Sequence, residues 1–437
     1  MAKPLYWRVP ARAHANAFPE ADHRDVLAWG FTSLPAGLRK EAGMKLLIYS
    51  HFFVPSIGGV ETIVLSLARG LAEFRNEAGV AEFDVTVATK IPAGGYDDSS
   101  LPFRVVRGPR LGQLLQLVRA SDVVHAAGPA VAPLLLAYLA RKPLVIEHHG
   151  YQATCPNGLL FHQPTGTVCR GHFLARNYRE CLKCNEKSEG SRRSWKLLFS
   201  AFLRNSLSRH AAANIAPSVH VASRQALPRT ITIAHGIADP CASKTALPDA
   251  QPMQQKHFAY VGRLVVEKGL SVLLQATRLL RAQGHEVNVT LIGDGPDKLR
   301  LQQEIKQLGL ERNVQITGFL SGMDLDLALR AVGSLVIPTT MEETAGLAAI
   351  EQMMRGRLVI ASEVGGLPEA IGQAGLTFPP GDAAALAAAM KMVLEKPDLI
   401  ISLGRQARQR SLALFPRERM IKEHARVYRE VAHNSDS

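Results

Sequence analysis

Long apolar runs are missing from this sequence. The longest stretches, such as residues 131–138, fall well short of the ~20 residues that cross a bilayer and are followed by Arg141 and Lys142. The first 43 residues hold neither a sustained period nor the apolar core of a signal peptide. They read as a poorly ordered leader, with Met44 as an alternative start, because Met44-Lys45 opens directly into a buried-strand pattern. A chain without these signals is expected in the cytoplasm. The Gly-x-Gly-x-x-Gly of a dinucleotide-binding turn is absent at the first strand, and no acidic residue closes the second, which ends Ala88-Thr89-Lys90. Both departures disfavour a dinucleotide oxidoreductase. No familiar nucleic-acid-reading motif occurs, and the basic residues behind the net charge of +13 are scattered. Phosphorylated ligands or an anionic membrane face suit that charge, and only weak, nonspecific nucleic-acid binding is expected.

What is present points to two α/β domains. The chain has 437 residues, 47% hydrophobic and 20% charged, which suits two cores of about 200 residues each. From Met44, β-rich runs at 45–50, 83–89, 122–125 and 143–147 alternate with helical patterns at 61–75, 111–119 and 131–139. The rhythm breaks at 151–190, a loop-like stretch rich in Cys, Gly, Arg and His, and resumes at 213–216 and 231–234. A polar, Pro-bearing segment at 239–256 reads as a linker. A second alternation follows, with strands at 257–261, 287–292, 314–317, 334–337 and 358–361. Each series predicts a doubly wound parallel sheet that binds ligands at the carboxyl ends of its strands. The expected layout is a leader at 1–43, a first Rossmann-like domain at 44–238 with a Cys-rich insertion at 151–190, a linker at 239–256, a second domain at 257–416 and a terminal helix at 417–433. That helix places Met420, Ile421, His424, Val427, Tyr428 and Val431 on one side, a stripe that needs a docking surface.

The motifs with chemical content lie at predicted strand ends. Glu343 falls in the loop after the 334–337 strand, and Glu351, separated from it by seven residues, on the following helix. Two such carboxylates can each accept paired hydroxyl hydrogen bonds from a sugar, and the backbone of Thr344, Ala345, Gly346 and Leu347 can point N–H groups at an anion. A solvated acidic helix start would read the same way. Arg263 and Lys268, flanked by Gly262 and Gly269, suit a diphosphate, because Arg engages oxygens bidentately and Lys acts as a point charge. Surface salt bridging is the alternative. Gly58-Gly59 precedes the first helix and lets backbone approach a ligand closely. His149 follows a buried strand and faces the expected cleft. His125 ends the preceding strand and either faces the cleft too or is satisfied by backbone.

Two further features stand outside that set. Residues 192–204, basic and aromatic, either lie on an anionic membrane or pack on their own sheet. Cys155, Cys169, Cys181 and Cys184 fall within one irregular stretch and leave Cys241 alone. A Cys-x-x-Cys turn with two more thiolates would complete a tetrahedral, structural zinc site; disulfides and free thiols are the alternatives.

These features in this order resemble the family 4 (group 1) retaining glycosyltransferases of GT-B fold. The residues that carry the resemblance are Gly58-Gly59-Val60-Glu61, His149-Gly150, His235-Gly236-Ile237, Gly262-Arg263-Leu264 with Glu267-Lys268-Gly269, residues 293–296, Glu343 with Glu351, and Gly365-Gly366-Leu367-Pro368-Glu369. It covers about 44–428. The resemblance implies that Arg263 and Lys268 hold the diphosphate of a nucleotide-sugar donor and Glu351 its ribose. Glu343 and the 344–347 backbone would hold the donor sugar, Gly58 and Gly59 would close over the phosphates, and His149 would sit beside the transferring carbon. It further implies a metal-independent, retaining transfer with no cofactor, to a glycan or lipid-linked acceptor, and a final helix that crosses back to the first lobe. The family's usual Gly-Phe-Gly after the first Glu is Thr344-Ala345-Gly346 here. An epimerase acting on nucleotide sugars would share the scaffold, and a basic nucleic-acid-binding protein is the reading from another class.

Overall fold

The structure, a computed structural model, describes residues 43–242 and 254–434. The expected leader and most of the expected linker lie outside the described residues.

The first sheet has seven parallel strands: β1 (Met44–Ser50), β2 (Phe83–Thr89), β3 (Arg104–Arg107), β4 (Val123–Ala127), β5 (Leu144–Glu147), β8 (Ala213–Ala216) and β9 (Thr230–Thr232). A separate antiparallel hairpin, β6 (Phe161–His162) and β7 (Thr167–Val168), lies between β5 and β8 in sequence. The spatial order is β3-β2-β1-β4-β5-β8-β9. The second sheet contains β10 (Gln254–Val261), β11 (Asn288–Ile292), β12 (Val314–Gly318), β13 (Val332–Ile337), β14 (Leu358–Ser362) and β15 (Leu376–Phe378). Its order is β12-β11-β10-β13-β14-β15, again parallel throughout. Apolar runs such as Val332–Ile337, buried at every position, form these strands because helices cover both faces. The α/β, doubly wound architecture is therefore as the sequence predicts.

In each sheet the chain leaves one central strand, fills one side, then returns to fill the other. The crevice at such a reversal lies between β1 and β4 in one sheet and between β10 and β13 in the other. Around the second crevice the loops pack backbone on backbone. Gly293 has φ +148°, and a Cβ there would collide with the Gly262 carbonyl oxygen.

Two segments join the lobes side by side. Ile237 N–H donates to Phe415 O (3.0 Å), and Arg417 N–H donates to Ile237 O (3.1 Å). Asp239 pairs with Arg408 at 2.9 Å just beyond. The terminal helix, Arg417–His433, then packs the predicted stripe into the first core, where Met420, Ile421, Val427, Tyr428 and Val431 meet Leu67, Leu71 and Phe83. Arg429 pins its far end to Glu82 at 2.8 Å.

The expectations fail in two places. The stretch 151–190 is not merely loop: besides the hairpin it contains a helix, Tyr178–Glu189, and small apolar clusters built around Tyr151, Cys155 and Cys169 and around Phe173 and Cys181. Its apolar residues are too widely spaced in sequence to show a period. The strands β3 and β15 went unpredicted because edge strands are short and only partly buried, so neither presents a buried apolar run.

Candidate active site

The carboxyl ends of the two sheets face a cavity of about 940 Å³. From the first lobe it is lined by Gly58, Gly59 and His149, and from the second by Arg263, Lys268, Glu343, Thr344, Ala345, Gly346, Leu347 and Glu351. Gly58 and Glu351, 293 positions apart in sequence, thus line one cavity.

Each second-lobe residue is placed by a strand end. Arg263 follows β10, and its carbonyl oxygen accepts a hydrogen bond from Tyr260 Oη (2.9 Å). The Lys268 ammonium pairs directly with the Glu343 carboxylate, so two residues assigned separately by sequence meet in one ion pair. Gly346, with φ +68°, turns the loop after β13 into the helix Leu347–Met354. No side chain caps that helix, so its first N–H groups remain available at the cavity wall. Glu351 lies one turn inside it. Burial raises the Glu351 carboxyl above its ordinary value, and Arg355 opposes that shift. Arg69, Arg355 and Arg417 also line the cavity, three basic residues that were not singled out in sequence.

The lobes touch around this cavity. A Cβ on Gly59 would lie 2.9 Å from Leu347 Cδ1, so the glycine lets the first-lobe loop lie against the second-lobe helix. Thr344 Oγ1 donates to His149 O (3.4 Å), and Ser218 Oγ donates to Thr344 O (2.8 Å). The Glu369 carboxylate accepts from Val219 N–H at 2.8 Å and His220 N–H at 2.5 Å, across the lobes. Glu342 pairs with Arg224 (2.9 Å) and His220 (3.2 Å).

Under His149 lies a group that sequence reasoning missed. Glu147, the last residue of β5, is fully buried. Imidazole Nε2 atoms surround its carboxylate: His235 at 3.2 Å, His125 at 3.4 Å, His149 at 3.5 Å and His424 at 3.7 Å. Burial alone would raise the Glu147 carboxyl, but the rings of His149 and His424 and hydrogen bonds from His125 and His235 hold it well below the usual range. Burial pushes His149 down to about 3, so its ring is neutral. The missed signal was a charged residue ending a buried strand beside two histidines. His125 neither faces the cleft nor bonds to backbone; it is buried, with Nδ1 2.9 Å from Tyr428 Oη. The reason is that the terminal helix covers this end of β4.

The four clustered cysteines are buried and unbridged. Asn157 links two of them, with Oδ1 3.0 Å from Cys155 Sγ and Nδ2 3.5 Å from Cys184 Sγ. Burial, reinforced by Cys155, Cys169 and Cys184, pushes the Cys181 thiol up to about 12. Among the described residues, the set of potential metal ligands whose atoms lie within 4.8 Å of one another is Glu147, His149 and His235; the cysteine sulfurs do not reach that spacing. On the helix Ser191–His210, Ser194, Leu198 and Ala201 are buried while Trp195 and Phe199 are exposed, so one face packs on the protein and another presents aromatic side chains. Among the described residues no helix is long and apolar enough to cross a membrane.

The profile of the family described as "Glycosyl transferases group 1" matches residues 248–410. Among curated proteins, the chain is 28% identical over 203 residues to a 2-deoxystreptamine glucosyltransferase of Streptomyces kanamyceticus, covering 44% of this chain and 52% of that one. It is 26% identical over 405 residues to the D-rhamnosyltransferase WbpZ of Pseudomonas aeruginosa, covering 85% and 92%. The matches to the first relative and to an alpha-D-kanosaminyltransferase of the same Streptomyces span only about half of those proteins, 52% and 45%. Among solved structures, Anabaena HepE in complex with UDP-glucose superposes with a TM-score of 0.66 at 20% identity, covering 89% of this chain and 100% of that one. Residues 248–410 are therefore similar to the group 1 glycosyltransferases, and the chain as a whole shares its fold with HepE.

Proposed function

We propose that the protein is a retaining, metal-independent glycosyltransferase that moves a sugar from a nucleotide-diphosphate sugar to a glycan or lipid-linked acceptor in cell-surface polysaccharide or glycolipid synthesis. The observation that carries this reading is the convergence of Arg263, Lys268, the uncapped 347–354 helix start and the two carboxylates Glu343 and Glu351 on one cavity. Arg263, Lys268 and the helix N–H groups bind the diphosphate and stabilise charge as it departs. Glu351 takes the ribose hydroxyls, Glu343 and the 344–347 backbone take the sugar, Gly58 and Gly59 close over the phosphates, and His149 lies at the sugar end. In the transfer the sugar's anomeric carbon loses its bond to the diphosphate oxygen and gains one to the acceptor hydroxyl, whose proton passes to the leaving diphosphate. The domains act as the sequence divides them, with 44–238 on the acceptor side and 257–416 on the donor side.

The test is incubation of purified protein with nucleotide sugars and candidate acceptors. Nucleotide diphosphate released in step with a glycosylated product is expected; an isomeric nucleotide sugar formed without acceptor would mean epimerisation instead. Glu351→Ala should weaken donor binding by about 1.5–3 kcal/mol in calorimetry, the scale of a charged hydrogen bond, with the melting temperature little changed. Unchanged affinity removes Glu351 from the site. His149→Ala should lower kcat far more than donor affinity. Because burial keeps that ring neutral, kcat should show no acid limb at its ordinary value of 6.5.

The protein also works as a peripheral protein on the inner membrane face. Trp195 and Phe199 are 63% and 65% exposed, four residues apart on one helix, and Arg192, Arg193 and Lys196 lie on the same helix. A basic helix with exposed aromatics suits anionic lipid. Trp195→Ser/Phe199→Ser should abolish co-sedimentation with phosphatidylserine vesicles and leave transfer to a water-soluble acceptor intact; equal sedimentation of variant and parent excludes this face.

Cys155, Cys169, Cys181 and Cys184 are the ligands of a structural zinc whose binding draws the sulfurs together, since no three of them lie within 4.8 Å of one another. Burial pushes the Cys155 thiol up to about 11, and the backbone N–H groups of Leu160, Gly158 and Asn157 oppose that shift, so a cation would be needed to hold the thiolate. Elemental analysis of protein purified without chelator should find one zinc per chain. Substoichiometric zinc with four thiols titrating in the native protein would dispose of the site.

A further inference from the structure

We propose that Glu147 is the positioning residue of the active site: its buried carboxylate accepts the Nε2–H of His149 and so sets both the tautomer and the orientation of that ring. This rests on His149 being the donor-sugar contact proposed above.

The tautomers follow from the neighbours. His125 Nδ1 faces Tyr428 Oη at 2.9 Å. If the tyrosine donates there, His125 carries its hydrogen on Nε2, toward Glu147, where an N–H is favourable and a lone pair is not. His424 Nδ1 faces Met420 O at 2.9 Å, and a carbonyl only accepts, so this ring offers a second N–H to Glu147 only as the imidazolium. His148, on the other side of β5, is engaged by Asn214 Oδ1 at 2.9 Å. The Nε2 atoms of His149 and His235 face the same carboxylate from 3.5 Å and 3.2 Å, where a hydrogen is favourable and a lone pair is not. A hydrogen on Nε2 leaves His149 Nδ1 a lone pair; both ring nitrogens are buried, and neither makes a hydrogen bond of ordinary geometry among the described residues, so the 3.5 Å approach of Glu147 to Nε2 is a long one.

The arrangement also joins the ring to the lobe crossing. His235 belongs to the segment that leaves the first lobe, and His424 and Tyr428 to the helix that returns to it. One carboxylate thus faces β4, the second residue after β5 and both crossing segments.

The experiment is a double-mutant cycle with Glu147→Gln and His149→Ala, reading kcat, donor Kd and melting temperature. Glu147→Gln is expected to lower kcat by about 10- to 100-fold, the scale of misplacing a reacting group by an ångström, with donor Kd within about twofold. The double variant should be no slower than His149→Ala, because both changes act through one ring. Glu147→Asp should recover part of the loss. Additive losses, or a Glu147→Gln enzyme as fast as the parent, would overturn the proposal. Should Glu147→Gln fail to fold, nitrogen NMR of histidine-labelled parent protein decides: an Nε2–H tautomer for His149 supports the assignment, and an Nδ1–H tautomer defeats it. One equivalent of a transition metal in the parent, lost on Glu147→Gln, would also overturn it, by making Glu147, His149 and His235 metal ligands. If His149→Ala has no effect on kcat, the failure lies in the role given to His149 and not in the carboxylate that holds it.

Discussion

Where the chain leaves the first lobe, the backbone of Ile237 hydrogen-bonds on both sides to the segment that returns from the second, through Phe415 O and Arg417 N–H. Gly236 sits against that segment so closely that a Cβ would lie 2.5 Å from Pro416 O. This pairing is the constraint on which the site depends. It holds two parallel sheets with their carboxyl edges toward one another, so that loops of unrelated sequence position close on one cavity. The helix that follows Pro416 then fills the first core with its apolar stripe, which makes the crossing part of the lobe's own stability rather than a tether.

The cavity combines two kinds of physics. Its second-lobe wall is built for anions, with an uncapped helix start and arginine and lysine side chains. The Lys268 and Glu343 pair matches cation with carboxylate inside this wall, which limits the cost of burying either. Its first-lobe wall is neutral at the surface and charged beneath, since His149 is held neutral by burial while Glu147 under it remains ionised. A charge placed behind a neutral ring can orient that ring without competing for the ligand.

Contacts between the lobes are polar and specific. Glu369 accepts two backbone N–H bonds at the start of the helix Val219–Gln225, and Glu342 bridges Arg224 and His220. Such bonds can be exchanged for bonds to water, whereas the buried apolar stripe of the crossing has no such substitute.

The amino-acid sequence by itself determined the alternation of strands and helices, the two-sheet division and the second-lobe residues that line the cavity. Those features are local: a buried strand is an apolar run, and a loop after it can be read from its glycines and charges. The Glu343 and Glu351 pair was legible because both residues lie within one strand-to-helix turn. Tertiary structure alone decided that Lys268 meets Glu343, that His125 is buried beneath the terminal helix and that the 151–190 stretch packs small cores of its own. It also decided that Glu147, His235 and His424, drawn from a strand, a connector and the last helix, share one buried site. Such contacts join residues nearly three hundred positions apart, and only the crossing of the chain at Ile237 and Pro416 brings them together.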